Sequence, residues 1–243
     1  MNEDQLLQEA DRRGRDYVAG ADARRVFPRD QDVAALAGFD ETLTDQGRPA
    51  AETIALMDDL GSPATVASNG PNYFGFVIGA SLPVAAAAER LAIAWDQCAS
   101  AEDGSPAAYA LEQQASKWLL EILDLPRSSA VAFGTSATAC GLSCLAAARA
   151  ELLARQGWDV VNEGLHGAPE VKVVVAASTH VTVRKALQVL GFGWNRVIKA
   201  PVDDQGRILP DQLPDMDATT LLVLQAGEVN TGEFDDFAAI IPG

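Results

Sequence analysis

At 243 residues, 48% of them apolar and 21% charged, the chain is long enough to bury one sizeable core, or one large domain with a smaller appendage. The formal net charge of -16 argues against nucleic acid or an anionic membrane as partner, because long-range repulsion opposes encounter; a small molecule or a protein fits better. Three cysteines, Cys98, Cys140 and Cys144, form no CxxC pair and suit a reducing, cytoplasmic compartment, and two histidines, His166 and His180, are too few for a His-rich metal site.

The acidic start, Met1-Asn2-Glu3-Asp4-Gln5, lacks the basic and apolar regions of a secretory leader. Leu6, Leu7, Ala10, Gly14, Tyr17 and Val18 then recur at helical spacing, which predicts a helix over 3–18. Two short helices follow over 33–39 and 50–60, separated by Gly38, Gly47 and Pro49. Such a string has no continuous core of its own and should pack on something else, such as a second subunit. Gly61-Ser62-Pro63 opens a further helix-like segment, and residues 68–75 form a loop of turn formers whose aromatics, Tyr73 and Phe74, either line a pocket or plug the core. The longest apolar run, 74–88, is broken by Gly75, Gly79, Ser81 and Pro83. It is shorter than the ~20 residues of a membrane helix, so it is expected to be buried in the protein, with no membrane involved.

Alanine-rich helices are predicted over 82–95 and 107–123, the second stopped by Pro126. Residues 131–149 read as a short apolar strand end, a turn of small hydroxylated residues and a helix that continues to 156, ahead of a polar loop over 162–169. The β-branched run 171–176 predicts a strand buried on both faces. A helix over 183–190, short strands over 196–200 and 220–225, a weak helical or turn signal over 210–217, and a last helix over 234–241 before Pro242-Gly243 complete the pattern. Strands alternating with helices predict an α/β domain with a mainly parallel sheet. Ligands of such sheets gather beyond the carboxyl ends of the strands, and the turn at 134–138, His180 and the stretch 226–232 all fall there.

The unpaired N–H groups and the dipole at a helix start favour an anion, and Thr135, Ser136 and Thr138 add hydroxyl donors. Equally, Ser136 or Thr138 serves as a simple N-cap. The dinucleotide fingerprint GxGxxG and the phosphate loop GxxxxGK[ST] are both absent, and Thr135-Ser136-Ala137 lacks the flanking glycines of a serine nucleophile elbow. His180 is either a structural residue bonded to Ser178, Thr179 or Thr182, or a flat ring at the sheet edge on which a planar cofactor stacks.

Taken in order and spacing, several stretches resemble the fold-type-I, pyridoxal-phosphate-dependent decarboxylases of the group that includes the aromatic amino acid and glutamate decarboxylases. They are Arg25-Val26-Phe27-Pro28, Leu60-Gly61-Ser62-Pro63-Ala64-Thr65, the run from Asn72-Tyr73-Phe74-Gly75 to Leu82-Pro83, Ala94-Trp95-Asp96-Gln97, Gly134-Thr135-Ser136-Ala137-Thr138, Ser178-Thr179-His180-Val181-Thr182-Val183, and Gln225-Ala226-Gly227-Glu228-Val229-Asn230-Thr231-Gly232-Glu233-Phe234-Asp235. The resemblance implies a transferase-like α/β large domain over 86–243, preceded by a helical segment and pocket loop over 1–85. It implies pyridoxal 5'-phosphate as cofactor, an α-amino acid as substrate and a homodimer. By the same resemblance Ser136, Ala137 and Thr138 hold the cofactor phosphate, His180 stacks on its ring beside the reacting carboxylate, Asn230 borders it, and Tyr73 and Phe74 lie near the substrate. Glu228 departs from the asparagine or small polar residue of the pattern.

The resemblance further implies an aspartate for the pyridine nitrogen and a lysine for the internal imine, both later in the chain than Phe234-Asp235. Lys117, Lys172, Lys185 and Lys199 are the only lysines, and none has that context. A last helix should also feed another strand. The expectation is therefore the N-terminal portion of a longer enzyme, inactive alone; the rivals are a catalytically dead paralogue serving as a dimerisation module, and another fold-type-I enzyme such as an aminotransferase or lyase.

Overall fold

A computed structural model describes residues 1–43 and 45–241, so the Pro242-Gly243 stop lies outside the described residues. The chain forms two compact units, Met1–Cys98 and Ala99–Gly243. A boundary at 85/86 would cut helix α4, Pro83–Trp95, which runs unbroken within the first unit.

In the first unit, α1 (Glu3–Ala19) starts on a reciprocal cap: Asn2 Oδ1 accepts from Gln5 N–H at 2.9 Å and Gln5 Oε1 from Asn2 N–H at 3.0 Å. Helix α2 (Asp30–Ala35) continues as a 3₁₀ turn, Leu36–Phe39, and α3 is Ala50–Gly61. Arg13 fastens α1 to α3, with nitrogens 2.8 Å from Glu9, 2.6 Å from Asp58 and 2.8 Å from Asp59. Two bonded arginines, Arg12 first and then Arg13, hold the Glu9 carboxyl down at about 2. The segment opening at Gly61 forms only a 3₁₀ turn, Ser62–Ala64. Beyond it Gly70 sits where a Cβ would lie 3.0 Å from the Ala21 carbonyl oxygen, tighter than ordinary packing. The run 74–88 is not buried: Phe74, Phe76 and Val77 are 92%, 80% and 86% exposed. Phe76, Val77 and Ala80 there take positive φ of 57°, 53° and 57°, a region that strains side chains bearing a Cβ.

The second unit carries α5 (Pro106–Ile122), α6 (Ala137–Ala154), α7 (Val160–Glu163), β1 (Lys172–Ala176), α8 (Val181–Val189), β2 (Ile198–Ala200), β3 (Thr220–Val223) and α9 (Phe237–Ile240). The three strands form one parallel sheet in the order β2-β1-β3, with Val174 opposite both Ile198 and Leu222. Successive side chains of β1 point to opposite faces. Val173 and Val175 meet Leu145 of α6 and Ala186, Leu187 and Leu190 around α8, while Val174 and Ala176 meet Ala200, Ile208 and Ile240. This is the α/β architecture with a mainly parallel sheet flanked by helices, and β1 is buried on both faces.

Local readings differ at three places. Residues 131–133 do not form a strand; no described strand lies alongside to complete a ladder. The start of the polar loop becomes α7 because the Asp159 side chain accepts from Val161 N–H at 3.0 Å and caps it. The last helix begins at Phe237, since Phe234 pairs with Ala226 in an antiparallel bridge. Helix α6 is, among the described residues, the one helix long and apolar enough to cross a membrane. It packs through Leu142, Leu145 and Ala146 against α8 and the sheet, and most of its apolar length lies outside that contact.

Candidate active site

The carboxyl ends of the three strands lead into loops that are tied to one another. After β1, Ser178 Oγ donates to the Gly206 carbonyl at 2.9 Å, in the loop after β2, and receives Gln225 Nε2 at 3.3 Å from the end of β3. Thr231 Oγ1 donates to the Gln205 carbonyl at 2.8 Å. The buried Asp235 carboxylate closes the arrangement, accepting from Ile208 N–H and Gln225 N–H, each at 2.7 Å. Gly206 (φ 82°) is required here, because a Cβ would lie 2.9 Å from Glu228 Cγ.

His180 is the N-cap of α8: Nδ1 accepts from Thr182 N–H at 3.3 Å and lies 2.8 Å from Thr182 Oγ1. That bond assigns the ring proton to Nε2 and leaves an exposed ring fixed at its inner edge. Ser136 is the N-cap of α6, its Oγ accepting from Ala139 N–H at 3.1 Å. The N–H groups of Ala137 and Thr138 fall in the first turn, where no intrahelical acceptor exists. Both the structural and the anion-binding readings of Ser136 thus apply to one turn: the hydroxyl caps, and two amides stay open.

The two caps face the same end of the sheet. Arg149, twelve residues after Ala137, donates to the carbonyl of Leu190, nine residues after Val181. At a rise of about 1.5 Å per residue, this contact sets the two helix starts within about one turn of each other. Asn230 stands in the β3 loop with its N–H 2.6 Å from Glu228 Oε2 and its Nδ2 2.9 Å from Oε1. Glu228, the departure from the family pattern, is the hub of this turn and also accepts from Thr231 N–H at 2.9 Å. Backbone donation from Asn230 and Thr231 holds its carboxyl below the usual range. Because Glu228 takes the Asn230 amide nitrogen, Asn230 presents its carbonyl oxygen as the free polar atom.

Tyr73 and Phe74 belong to the first unit, Tyr73 half-buried and Phe74 exposed. The lysines lie elsewhere: Lys172 at the start of β1 pairs with Asp217 at 2.8 Å, Lys199 of β2 lies over the Trp194 ring, and Lys117 and Lys185 are exposed on α5 and α8. Sequence reasoning missed two residues here. Asp235 stands in the sequence only as the end of a motif, since a carboxylate that accepts from amides 10 and 27 positions away leaves no local signal. Thr179 Oγ1 is buried without a partner beside His180, an orphan hydroxyl at the strand end.

Open amides at a helix start, with a fixed imidazole and an unmet hydroxyl beyond the carboxyl end of β1, suit a phosphate-bearing planar ligand, so the residues present fit pyridoxal phosphate. The fold is that of the fold-type-I decarboxylases to which the motifs are similar. No family model matches the chain. Tryptophan decarboxylase 1 of Oryza sativa is 29% identical over 192 residues, covering 70% of this chain and 36% of that protein. L-2,4-diaminobutyrate decarboxylase of Rhizobium meliloti is 29% identical over 213 residues, 84% of this chain and 37% of that protein. The crystal structure of Oryza sativa TDC with PLP and tryptamine superposes with a TM-score of 0.80 at 23% identity, over 99% of this chain and 52% of that one. The chain thus spans little more than a third of the curated relatives it matches and about half of the solved structure, and the resemblance to the decarboxylases is borne out.

Proposed function

We propose that this chain is the cofactor-phosphate half of a pyridoxal-phosphate-dependent carboxy-lyase acting on an α-amino acid. The observation that supports this is the pair of helix starts capped by Ser136 and His180, on two helices that pack against the same face of β1. In this reading the Ala137 and Thr138 amides, with the Thr138 hydroxyl, bind the phosphate. The His180 ring, held through Nδ1, stacks on the cofactor and offers Nε2–H toward the substrate carboxylate. Asn230 borders the ring, while Tyr73 and Phe74 serve the substrate pocket. When bound, the cofactor supplies an electron sink for the pair left as carbon dioxide departs. None of the four lysines stands at the strand-end loops, so in this reading the chain alone binds the cofactor without an imine and does not decarboxylate. The working enzyme is a cytoplasmic homodimer.

The test is a titration of the chain with pyridoxal phosphate followed by ³¹P resonance and visible absorption. A phosphate shift that saturates in the wild type and is lost in Thr138→Ala combined with Ser136→Ala supports the reading. No saturable shift in the wild type sinks it. Carbon dioxide release from a panel of amino acids checks the expected inactivity. A second reading, a catalytically dead paralogue acting as a dimerisation module, is favoured by the exposed apolar run around Phe74, Phe76 and Val77. It predicts self-association without a phosphate shift.

A further inference from the structure

At the end of the second unit opposite the strand-end loops, a cavity of about 410 Å³ lies between the later turns of α6, the starts of β1 and β2, and the turn after α8. That volume is within the roughly 300–1,000 Å³ usual for small-molecule sites. One side of it is apolar, with Leu153, Leu165, Phe192, Val197 and Ile198, and Glu170 stands with the charged residues on the other. Three cations reach it. Lys172 is matched by Asp217 at 2.8 Å and Arg196 by Glu170 at 2.7 Å. Arg149 is different: Nη1 donates to the Leu190 carbonyl at the end of α8, and the buried Nε–H has no acceptor. Among the described residues no carboxylate pairs with Arg149.

We propose that this cavity binds a small aliphatic monocarboxylate, its two oxygens on the Nε–Nη2 edge of Arg149 and its alkyl tail against Leu165, Phe192 and Ile198. With Nη1 committed to Leu190, that edge is the remaining planar pair of donors, and its spacing matches a carboxylate bidentately. An unmet donor on a cation beside an apolar wall calls for an anionic acceptor with an apolar remainder. Nε has no exposed surface, so the guanidinium tilts into the cavity on binding while Nη1 keeps Leu190. The site is remote from Ser136, His180 and Asn230 and does not rest on the decarboxylase reading.

The test titrates ¹⁵N-labelled full chain with 3-methylbutanoate at constant pH and ionic strength, with 3-methylbutanamide as the neutral control. The Arg149 Nε–H resonance, assigned by its loss in Arg149→Lys, should move saturably with the acid and stay in place with the amide. Arg149→Lys keeps the charge and the reach to Leu190 but loses the fork, and should weaken binding at least tenfold. Ala168→Leu narrows the cavity without touching Arg149 and should also weaken it, which decides the matter should the lysine variant fail to fold. No saturable shift, meaning that water alone meets Nε, would overturn the proposal, as would equal shifts with acid and amide or unchanged affinity in both variants.

Discussion

The second unit is organised by one strand with two buried faces: Val173 to Ala176 are each at most 3% exposed, and helices or loops pack on either side. In the first unit only Ala21 and Ala67 are buried apolar residues among those described, and α1 meets α3 through Arg13 and its carboxylates. The difference teaches that these two regions answer to different forces. Apolar burial is non-directional and holds at any salt concentration, whereas paired surface charges weaken with salt and with acid. Perturbing each region should therefore give opposite responses to solvent.

The largest effect is expected from Leu187→Ala. Leu187 is 0% exposed beneath β1, and its truncation should cost about 2–5 kcal/mol, measured by denaturant unfolding followed through Trp158 and Trp194 fluorescence. Added salt should not restore or deepen this loss. A loss under 1 kcal/mol would show that the core is more plastic than its packing implies.

Asp235→Asn comes next. Asparagine turns one acceptor oxygen into a donor facing either Ile208 N–H or Gln225 N–H, leaving a buried amide unmet at about 1–3 kcal/mol. Hydrogen exchange should quicken at Ile208 and Gln225 while the β1 amides stay protected. Ser136→Ala should cost less, about 1 kcal/mol, as loss of an N-cap, with faster exchange confined to the first turn of α6.

What the sequence disclosed follows the same division. The β-branched run of β1, the two shorter strands and the place of His180 at a strand end were all legible, because buried parallel strands leave continuous apolar runs. The failures occur where the answer depends on distant partners. Residues 131–133 carry strand-like side chains but find no neighbouring strand, and the 74–88 run reads as core yet stands in solvent. Arg13 and Asp58 are 45 positions apart, so no spacing rule could pair them. Of the candidate site, the helix starts were visible as small hydroxylated turns, but Asp235 and the Glu228 hub were not, since both act through backbone amides.

The smallest effect, and the one that tests the contrast most directly, concerns acid and the α1–α3 contact. Glu9 is held at about 2 against an ordinary value of 4.5, through its bonds from Arg12 and Arg13. A carboxyl depressed in the folded chain contributes stability that is fully present above about 4.5 and is lost as pH falls toward 2. Asp58, bonded to Ser62 and Arg13, is depressed as well and acts in the same direction. Lowering the pH through that window should therefore quicken hydrogen exchange in α1 and α3 while β1 stays protected. Glu9→Gln should remove part of that acid response, and 1 M salt should mimic the variant, since screening at that ionic strength acts over about 3 Å. If α1 instead keeps its protection down to pH 2 at any salt concentration, the first unit is held by packing after all, and the contrast between the two regions fails.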